Sequence, residues 1–359
     1  MEKEESKVNE VEKLSSPKDN VKKQHQHVDI KSDTERKMQI KNAIQIIEKK
    51  FGKEAIMLLG AKPNPNTEVF SSGSIAIDHI IGVGGYPKGR VIEIYGPESS
   101  GKTTIALHAI AEIQKNGGTA AFIDAEHSID PSYARNLGID IDNLILSQPD
   151  SGEQALEIVD ILSKSGHIDL IVVDSVAALV PESELNGEMR DQTIGAQARL
   201  MSKALRKITG SLSKNKTTII FINQIREKVG VIFGSPEVTP GGRALKFYST
   251  LRMEVRRVSS IGAGNEISGN LVRIKIVKNK LAPPFKSVTT EIIFSKGISK
   301  HSEVVDLAET HNIIIKKGSW YSYEGNNIAQ GKMNMRLFLE NDEILYKTIL
   351  EKVQEKLKQ

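Results

Sequence analysis

Residues 96–103 read Gly-Pro-Glu-Ser-Ser-Gly-Lys-Thr, the complete pattern G-x-x-x-x-G-K-[ST] of a phosphate-binding loop. Gly96 and Gly101 permit the backbone angles and close approach that turn consecutive N–H groups toward phosphate oxygens. We expect Lys102 to reach the β- and γ-phosphates and the Thr103 hydroxyl to ligate Mg²⁺. The pattern therefore predicts a site for a nucleoside triphosphate with Mg²⁺. We assign its contacts to Gly96, Pro97, Glu98, Ser99, Ser100, Gly101, Lys102, Thr103 and Thr104.

An aspartate follows the apolar run at residues 168–173, which has the composition of a buried parallel strand. The carboxyl end of such a strand lies beside the phosphate loop, so Asp174 is placed to hold Mg²⁺ through a water molecule. The alternative is that Asp174 only caps the next helical element. The phosphate loop upstream favours the magnesium role.

Two acids lie at the end of another apolar run, the predicted strand at residues 119–124. Hydrolysis needs a group that activates or orients a water molecule facing the γ-phosphate, and this strand end supplies one. Asp124 and Glu126 share a face of the strand, so spacing alone does not choose between them. Tyr133, on the short helix that follows, either stacks on adenine or packs in the core, and the residues alone favour the core.

A third apolar run, at residues 218–222, ends in Asn223 and Gln224, neutral amides that can sense a γ-phosphate without acting as bases. Gln224 leads directly into residues 225–243, which are rich in Gly and Pro and carry cations and one aromatic side chain. Such a long segment in a compact domain is commonly functional, and its chemistry suits a single nucleic-acid strand. We expect the nucleotide state to order or release it. A second Gly-containing segment, 182–194, precedes a helix with several cations.

The elements that must position these residues follow an alternating pattern. Strand-like runs lie at residues 90–95, 119–124, 143–147, 168–173, 217–222, 249–256, 271–277 and 288–294. The first five alternate with helical runs, which is typical of a mainly parallel α/β sheet, and the last three resemble an antiparallel extension. We therefore predict an α/β fold of the P-loop NTPase class, with a small N-terminal helix/strand unit and a small α+β C-terminal domain.

The predicted domain boundaries follow changes in composition along the chain. Residues 1–31 are polar and without aromatics, and we predict that they are disordered. A capping box that begins at Ser32 starts the helix of an N-terminal unit, which we place at residues 32–66. The nucleotide-binding core then spans residues 67–299, and the C-terminal domain spans residues 300–359.

Composition excludes several classes of protein. The chain has 359 residues and no cysteine, which excludes disulfides and zinc sites made of thiolates. No apolar run approaches the roughly 18 residues of a membrane-spanning helix, and the charged start does not resemble a signal peptide. We therefore expect a cytoplasmic protein without a membrane partner. The net charge of +4 permits nucleic-acid binding without demonstrating it.

Several motifs in order along the chain resemble the bacterial RecA family. They are residues 96–104, Ile-Asp-Ala-Glu-His at 123–127, Phe-Ile-Asn-Gln-Ile-Arg at 221–226, Ala-Leu-Lys-Phe-Tyr at 244–248, Val-Lys-Asn-Lys at 277–280 and Trp-Tyr-Ser-Tyr at 320–323. The resemblance implies a DNA-dependent ATPase that forms ATP-bound helical filaments on single-stranded DNA. It implies homologous pairing and strand exchange in recombinational repair as the activity.

The resemblance also implies roles around the nucleotide. Glu126, rather than Asp124, would activate the attacking water, and Tyr133 would contact adenine. Gln224 would couple the γ-phosphate of ATP to the segment at 225–243. These implications go beyond the spacing argument, which left the two acids and the role of the tyrosine open.

Further roles implied by the resemblance concern partners. Lys278 and Lys280 would reach the ATP site of a neighbouring subunit, so that hydrolysis belongs to the interface of a homo-oligomer. Lys316 and Lys332 would capture duplex DNA, and the filament would stimulate self-cleavage of a LexA-type repressor in the SOS response. The remaining residues implied in DNA binding are Ile194, Arg199, Ser202, Arg206, Arg226, Phe233, Gly241, Gly242 and Arg243. Arg243 stands where a neutral Asn is common in the family, which adds one cation beside the DNA path.

Two other functions remain as alternatives. A hexameric helicase or branch-migration motor would use the same ATPase core, but the zinc-binding cysteines of the RadA-like branch and a large primase-binding domain are both missing. A scaffold that only stimulates repressor cleavage is compatible with the recombinase reading, and the sequence does not rank the two.

Overall fold

The structure is a computed structural model and describes residues 33–52, 55–56, 58, 67–188, 195–227, 230, 236–263 and 266–358. Contacts divide the chain into two compact units, Met1–Pro65 and Asn66–Gln359. The described part of the first unit is dominated by α1 (Asp33–Phe51), which has acids in its first turn and lysines in its last, as the helix dipole favours. No residue of α1 is buried. Ser32, the predicted capping residue, and the predicted disordered segment lie outside the described residues.

Within the described residues, the strands of the second unit form one large sheet and three small ones. Their bounds are β1 (Val69–Phe70), β2 (Tyr86–Pro87), β3 (Val91–Gly96), β4 (Ala120–Asp124), β5 (Ile145–Ser147), β6 (Leu170–Asp174), β7 (Thr218–Gln224), β8 (Arg226–Glu227), β9 (Glu237–Val238), β10 (Leu251–Ala263), β11 (Glu266–Asn279), β12 (Ser287–Ile293), β13 (Gly297–Ile298), β14 (Ile315–Lys317), β15 (Trp320–Tyr323) and β16 (Asn326–Gln330). The large sheet has the order β13-β12-β11-β10-β3-β7-β6-β4-β5.

The helices connect these strands and cover the sheet. Those of the second unit are α2 (Ile75–Ile81), α3 (Lys102–Lys115), α4 (Pro131–Asn136), α5 (Gly152–Ser165), α6 (Glu182–Leu185), α7 (Ala196–Asn215), α8 (Ala244–Tyr248), α9 (Lys300–Thr310), α10 (Lys332–Asn341) and α11 (Glu343–Leu357). Within the described part of the chain, no helix is long and apolar enough to cross a membrane.

The register of the parallel strands brings the predicted functional residues to one edge of the sheet. Gly96 at the end of β3 is paired with Gln224 at the end of β7. Asp124 at the end of β4 is paired with Asp174 at the end of β6. Four separate motifs therefore end side by side because parallel strands share the direction of their carboxyl ends.

The predicted α/β fold is confirmed, with one refinement in the extension. Strands β10, β11 and β12 pair antiparallel in that order, as the sequence predicted, and the short strand β13, which it did not predict, pairs antiparallel with β12. The first of them, however, joins β3 in parallel, from Leu251 opposite Ile92 to Glu254 opposite Tyr95. The extension thus continues the parallel sheet by one strand before the direction alternates.

Apolar side chains fill both faces of the large sheet. Neighbouring residues of β3 and β6 belong to different core clusters, since successive side chains of a strand point to opposite faces. Val91 packs with one cluster and Ile92 with the other. The sheet is therefore covered on both faces, which explains why its strands read as nearly continuous apolar runs.

The C-terminal region has a core of its own, built from α9, α10, α11 and the three-stranded sheet β14-β15-β16. Tyr321 and Tyr323 of the aromatic patch are buried in it, whereas Trp320 is 44% exposed. Glu303 of α9 joins this region to the large sheet by accepting hydrogen bonds from the hydroxyls of Ser74 (2.6 Å) and Thr290 (2.7 Å). The division into domains at residues 299 and 300 stays a prediction.

Candidate nucleotide and nucleic-acid site

The phosphate loop passes from β3 into α3 through two glycines that no other residue can replace without distortion. A Cβ at Gly96 would lie 2.0 Å from the carbonyl oxygen of Val255, and one at Gly101 would lie 2.5 Å from Cδ1 of Ile292. Gly101 also has φ of 94°, in the left-handed region that favours glycine. The following N–H groups belong to the first turn of α3, where a helix favours negative charge.

Lys102 lies at the start of α3 with its side chain mostly buried. Its Nζ donates to the carbonyl oxygen of Pro97 (2.7 Å), so the ammonium group lies over the loop. Burial lowers the pKa of Lys102, while the carboxylates of Asp174 and Glu126 oppose that shift. The loop therefore contains a buried cation with two acids near it.

Asp174 and Thr103 form the pair expected at a magnesium site. The Thr103 hydroxyl donates to Oδ2 of Asp174 (2.7 Å). Burial raises the pKa of Asp174 to about 6, and the negative charge of Glu126 adds to the rise, whereas the hydrogen bond from Thr103 lowers it. Hydroxyl and carboxylate oxygens are the ligands that Mg²⁺ prefers.

These protein groups fit Mg²⁺ only in company with a nucleotide. In the part of the chain that the structure covers, no three His, Cys, Asp or Glu side chains are grouped so that they could hold a metal ion. Mg²⁺ is commonly held by one or two protein oxygens together with substrate phosphates and water. Thr103 and Asp174 match that donor set.

A cavity of about 560 Å³ opens beside the loop. Residues of the loop and Tyr133 line one side of it. The phenolic oxygen of Tyr133 is 2.9 Å from Oγ1 of Thr104, and the side chain also packs against the core. Both roles considered for Tyr133 are therefore compatible with its position.

The opposite wall of this cavity was not anticipated from the sequence. It is formed by residues of β10, β11 and β12 and of the turn after β12: Arg257, Asn270, Val272, Ile292, Ile293, Phe294 and Ser295. Oδ1 of Asn270 and Oγ of Ser100, on the loop, are buried and have no hydrogen-bond partner among the described residues. Sequence spacing gave no signal for this wall because it depends on long-range strand pairing.

The two acids at the end of β4 and just after it have different partners, which distinguishes them. Asp124 is fully buried, and its carboxylate accepts from the backbone N–H groups of Ser128 (3.0 Å) and Ile129 (3.3 Å) and from the amide of Gln148 (3.1 Å). Its oxygens are therefore committed to holding the turn that follows. Glu126 is exposed, and among the described residues no backbone N–H group donates to its carboxylate.

Glu126 is connected instead to the ends of two other strands. Its Oε1 accepts from Nε2 of Gln224 (2.8 Å), at the end of β7, and from the hydroxyl of Ser175, just after β6. Neighbouring Asn223 is buried, where its amide donates to Glu93 (3.1 Å) and to the carbonyl of Pro240 (3.1 Å). Gln224 therefore follows a residue, Asn223, that is held in place by hydrogen bonds, and its own side chain bonds to Glu126.

The residues assigned to DNA divide into those that the structure places and those that it does not. Arg199 and Arg206 are exposed on α7, two turns apart, with Ser202 partly exposed between them. Arg226, Gly241, Gly242 and Arg243 lie at the two ends of the segment 225–243, where the pair β8 and β9 closes its base. Ile194 and Phe233 lie outside the described residues.

Lys278 and Lys280 are not part of the cavity beside the phosphate loop. Nζ of Lys278 donates to the backbone carbonyls of Lys246 and Phe247, and Nζ of Lys280 donates to that of Phe247 (3.2 Å). Burial lowers the pKa of Lys278, and the charges of Lys280 and Arg252 lower it further. Within this one chain, both ammonium groups contact α8 rather than the nucleotide site.

The two lysines assigned to duplex DNA differ in how strongly they are paired. Lys332 contacts Glu291 (2.9 Å) and Asp306 (2.8 Å). Lys316 is 3.6 Å from Glu309 and lies over the ring of Tyr321. Lys332 is therefore held between two carboxylates that bind α10 to α9 and β12, whereas Lys316 has one distant ion pair.

Comparisons with known proteins agree with the motifs. The family model described as the RecA N-terminal domain matches residues 38–299, and the RecA C-terminal domain matches residues 302–358. The chain is 72% identical to Protein RecA of Mycoplasma mobile over 315 residues, which are 88% of this chain and 95% of that protein. It is 70% identical to Protein RecA of Mycoplasmopsis pulmonis over 317 residues, covering 88% and 94%. With Protein RecA of Staphylococcus epidermidis the identity is 58% over 325 residues, covering 90% and 93%.

Proposed function

Because this chain belongs to the RecA family, the DNA-dependent ATPases of recombination and repair, we propose that it binds single-stranded DNA under the control of ATP. In this proposal it assembles into helical filaments that catalyse homologous pairing and strand exchange. The observation that carries the proposal is the 2.8 Å hydrogen bond between Gln224 and Glu126. It joins the acid beside the phosphate loop to the first residue before segment 225–243.

ATP would bind with its phosphates over the loop. Backbone N–H groups of the loop and Lys102 would hold the β- and γ-phosphates, and Tyr133 would contact the adenine. Mg²⁺, held by Thr103 and through water by Asp174, would neutralise charge on the phosphates. Ser100 and Asn270 line this cavity, and their buried side-chain oxygen atoms, which have no partner among the described residues, would supply further polar groups.

Glu126 would act as the base for the attacking water. Its carboxylate is exposed, and within the described residues its hydrogen-bond donors are the side chains of Ser175 and Gln224. Side-chain donors can turn away at less cost than the backbone N–H groups that hold Asp124. Glu126 can therefore accept a proton from water, whereas Asp124 cannot leave its turn without unpairing buried groups.

Gln224 would sense the γ-phosphate. Its amide is one of the two donors to Glu126, and a phosphate oxygen would compete with that carboxylate for the same N–H group. A shift of Gln224 would move the first residues of segment 225–243, because Asn223 beside it is fixed by Glu93. This gives ATP a direct mechanical route to the DNA-binding segment.

Single-stranded DNA would run along the basic residues near this edge. Arg199, Arg206, Arg226 and Arg243 are exposed and would contact phosphates, with Ser202 and the glycines 241 and 242 permitting close approach of the backbone. The apolar side chains of Ile194 and Phe233 would meet bases. Lys316, and to a smaller extent the paired Lys332, would receive duplex DNA.

Lys278 and Lys280 would complete the ATP site of the next subunit in the filament. In the described part of one chain they donate to carbonyls of α8, and their charges would reach a phosphate in an assembly. The proposed site of action is the cytoplasm, where bacterial DNA lies. Stimulation of a LexA-type repressor rests on family membership alone.

Electron microscopy tests this proposal. The purified protein is imaged with single-stranded DNA and a non-hydrolysable ATP analogue, with each ligand omitted in turn. We expect extended helical filaments that need both ligands. Closed rings would instead support a hexameric motor, and dispersed particles under all conditions would contradict the proposed assembly.

A further inference from the structure

The side chain of Gln197 makes three hydrogen bonds that connect separate parts of the chain. It is the second residue of α7 and is partly buried. Its Oε1 accepts from the backbone N–H of Gly241 (3.1 Å). Its Nε2 donates to the carbonyls of Val176 (2.8 Å) and Leu179 (3.1 Å).

The segments that Gln197 joins are the ones on which the proposed function depends. Val176 follows Ser175, whose hydroxyl donates to Glu126. Gly241 lies near the end of segment 225–243, whose other end begins at Gln224. Gln197 itself lies in the first turn of α7, three residues after the end of segment 182–194. One amide therefore contacts the end of segment 225–243 and the residues that lie between Ser175 and segment 182–194.

Close packing around this amide leaves little freedom for independent movement. A Cβ at Gly241 would lie 2.9 Å from Cγ1 of Val176, and one at Gly242 would lie 2.6 Å from Cβ of Ala198. The end of segment 225–243 is thus in contact with both α7 and the residues after β6. A displacement of any one of the three must move the others, since packed elements resist compression.

We propose that Gln197 is a positioning residue that couples the nucleotide state at Glu126 to the DNA affinity of both segments. The inference rests on the proposed function. It requires an amide, because the side chain must offer a donor to two carbonyls and an acceptor to an N–H group at once. Its three hydrogen bonds go to backbone groups outside the cavity beside the phosphate loop, so its effect passes through the segments that it holds.

The proposal makes a reciprocal quantitative prediction. If the nucleotide raises the affinity for single-stranded DNA by some factor, DNA must raise the affinity for that nucleotide by the same factor. Loss of a coupling residue lowers both factors together. A purely structural residue would instead weaken DNA binding equally in every nucleotide state.

The test compares Gln197→Met, which keeps the length of the side chain but removes its polar atoms, with the unsubstituted protein. The dissociation constant for a fluorescent oligo-dT is measured with ADP and with a non-hydrolysable ATP analogue. The affinity for a fluorescent form of the analogue is measured with and without oligo-dT. We expect both ratios to fall by about tenfold, in the range observed for residues that mediate coupling.

Gln114→Met is the matched control. Gln114 also bridges two backbone groups with its amide, the N–H (3.0 Å) and the carbonyl (2.9 Å) of Asp140, but none of these groups belongs to the DNA segments. Its ratios should equal those of the unsubstituted protein. Gln197→Glu provides a second variant if Gln197→Met does not fold, because it keeps the acceptor for Gly241 and loses both donors.

The outcomes separate the inference from the function on which it rests. Unchanged ratios in the Gln197 variants, or an equal loss of DNA affinity with ADP and with the analogue, would overturn the coupling role. A lack of any nucleotide effect in the unsubstituted protein would instead overturn the proposed function.

Discussion

Two buried carboxyl groups in this chain, Asp174 and Glu303, both have a raised pKa but lie in different surroundings. Asp174 ends β6 at the edge of the sheet that holds the phosphate loop, and Glu303 lies where α9 meets α2 and β12. Burial raises the pKa of Asp174 to about 6 and that of Glu303 to about 7. The raised pKa alone therefore does not identify the acid that serves the chemistry.

The partners of the two acids make the difference. Asp174 accepts from a hydroxyl on the phosphate loop and has Lys102 near it, beside a cavity of about 560 Å³. Glu303 accepts from Ser74, which caps α2, and from Thr290 within β12. Asp174 can therefore exchange the hydrogen bond from Thr103 for a ligand. Glu303 instead connects the packed elements α2, α9 and β12, and we call this contact the joint.

The largest expected effect comes from removing the cation beside Asp174. We expect Lys102→Ala to weaken nucleotide-dependent binding of single-stranded DNA by about 100-fold or more, because a charged contact to phosphate is lost at a buried site. Fluorescence anisotropy with oligo-dT and an ATP analogue measures the change.

Lys300→Ala is the matched control for this experiment. Lys300 is the cation close to the joint, where it pairs with Glu112 (2.9 Å), and its removal should leave nucleotide-dependent DNA binding within about twofold. Retention of ATP-dependent binding by Lys102→Ala would remove the basis for assigning the phosphates to this loop.

The next effect tests which strand-end acid performs the chemistry. Glu126→Gln should retain ATP binding but lower the rate of DNA-stimulated hydrolysis by about 100-fold to 10,000-fold, the usual contribution of a general base. A steady-state phosphate-release assay and a nucleotide-binding assay separate the two effects.

Asp124→Asn serves as the comparison for Glu126→Gln. Its carboxylate holds backbone N–H groups in a buried turn, so we expect a loss of about 1–3 kcal/mol in the free energy of unfolding. Hydrolysis by the folded fraction should continue. A normal hydrolysis rate in Glu126→Gln together with its loss in folded Asp124→Asn would exchange the two roles.

The contribution of Glu303, at the joint, to the free energy of unfolding is tested by its dependence on pH. Glu303 has a folded-state pKa of about 7 against an ordinary value of 4.5, so the folded state holds its proton more tightly than the unfolded state does. This group therefore favours folding at low pH, and its contribution is lost as pH rises from about 4.5 through about 7. The loss amounts to about 3 kcal/mol.

Glu303→Gln should flatten that dependence, because the amide keeps an acceptor for Ser74 and Thr290 and carries no charge. Urea unfolding between pH 4.5 and 8 is followed by the fluorescence of Trp320, the one tryptophan in the sequence, which lies in the C-terminal region. An equal pH dependence in both proteins would show that Glu303 does not titrate in this range.

The smallest expected effect concerns the salt dependence of DNA binding, which compares a cation near the phosphate loop with a cation near the joint. Arg243 is exposed near the edge of the sheet that carries the phosphate loop. Lys332 is instead held between two carboxylates near the joint. Arg243→Asn should lower the slope of log Kd for single-stranded DNA against log salt concentration by about 1. Lys332→Ala should leave that slope unchanged, and a reversed pattern would place the DNA path on the other side of the chain.

The sequence predicted which residues end side by side at one edge of the large sheet, because those residues follow directly from strand ends. Gly96, Asp124, Asp174 and Gln224 lie side by side through parallel register alone. The order of the motifs and the alternation of strands and helices were enough to place them, since parallel strands present their carboxyl ends at one edge.

The remaining features depend on contacts that no local pattern contains. The different partners of Asp124 and Glu126 depend on backbone N–H groups that reach back to Asp124. The far wall of the cavity, with Asn270, follows from the pairing of β11 with its neighbours. Gln197 has no motif around it, and its role becomes visible only where three segments meet.

The most direct test of the link between ATP and DNA is the affinity for oligo-dT with a non-hydrolysable ATP analogue and with ADP, in the unsubstituted protein and in Gln224→Ala. We expect the analogue to increase the affinity of the unsubstituted protein at least about tenfold, within the usual range of coupling free energies. Gln224→Ala should bind DNA with the same affinity in both nucleotide states. An equal nucleotide effect in both proteins would contradict the account, because the hydrogen bond from Gln224 to Glu126 would then carry no information between the two sites.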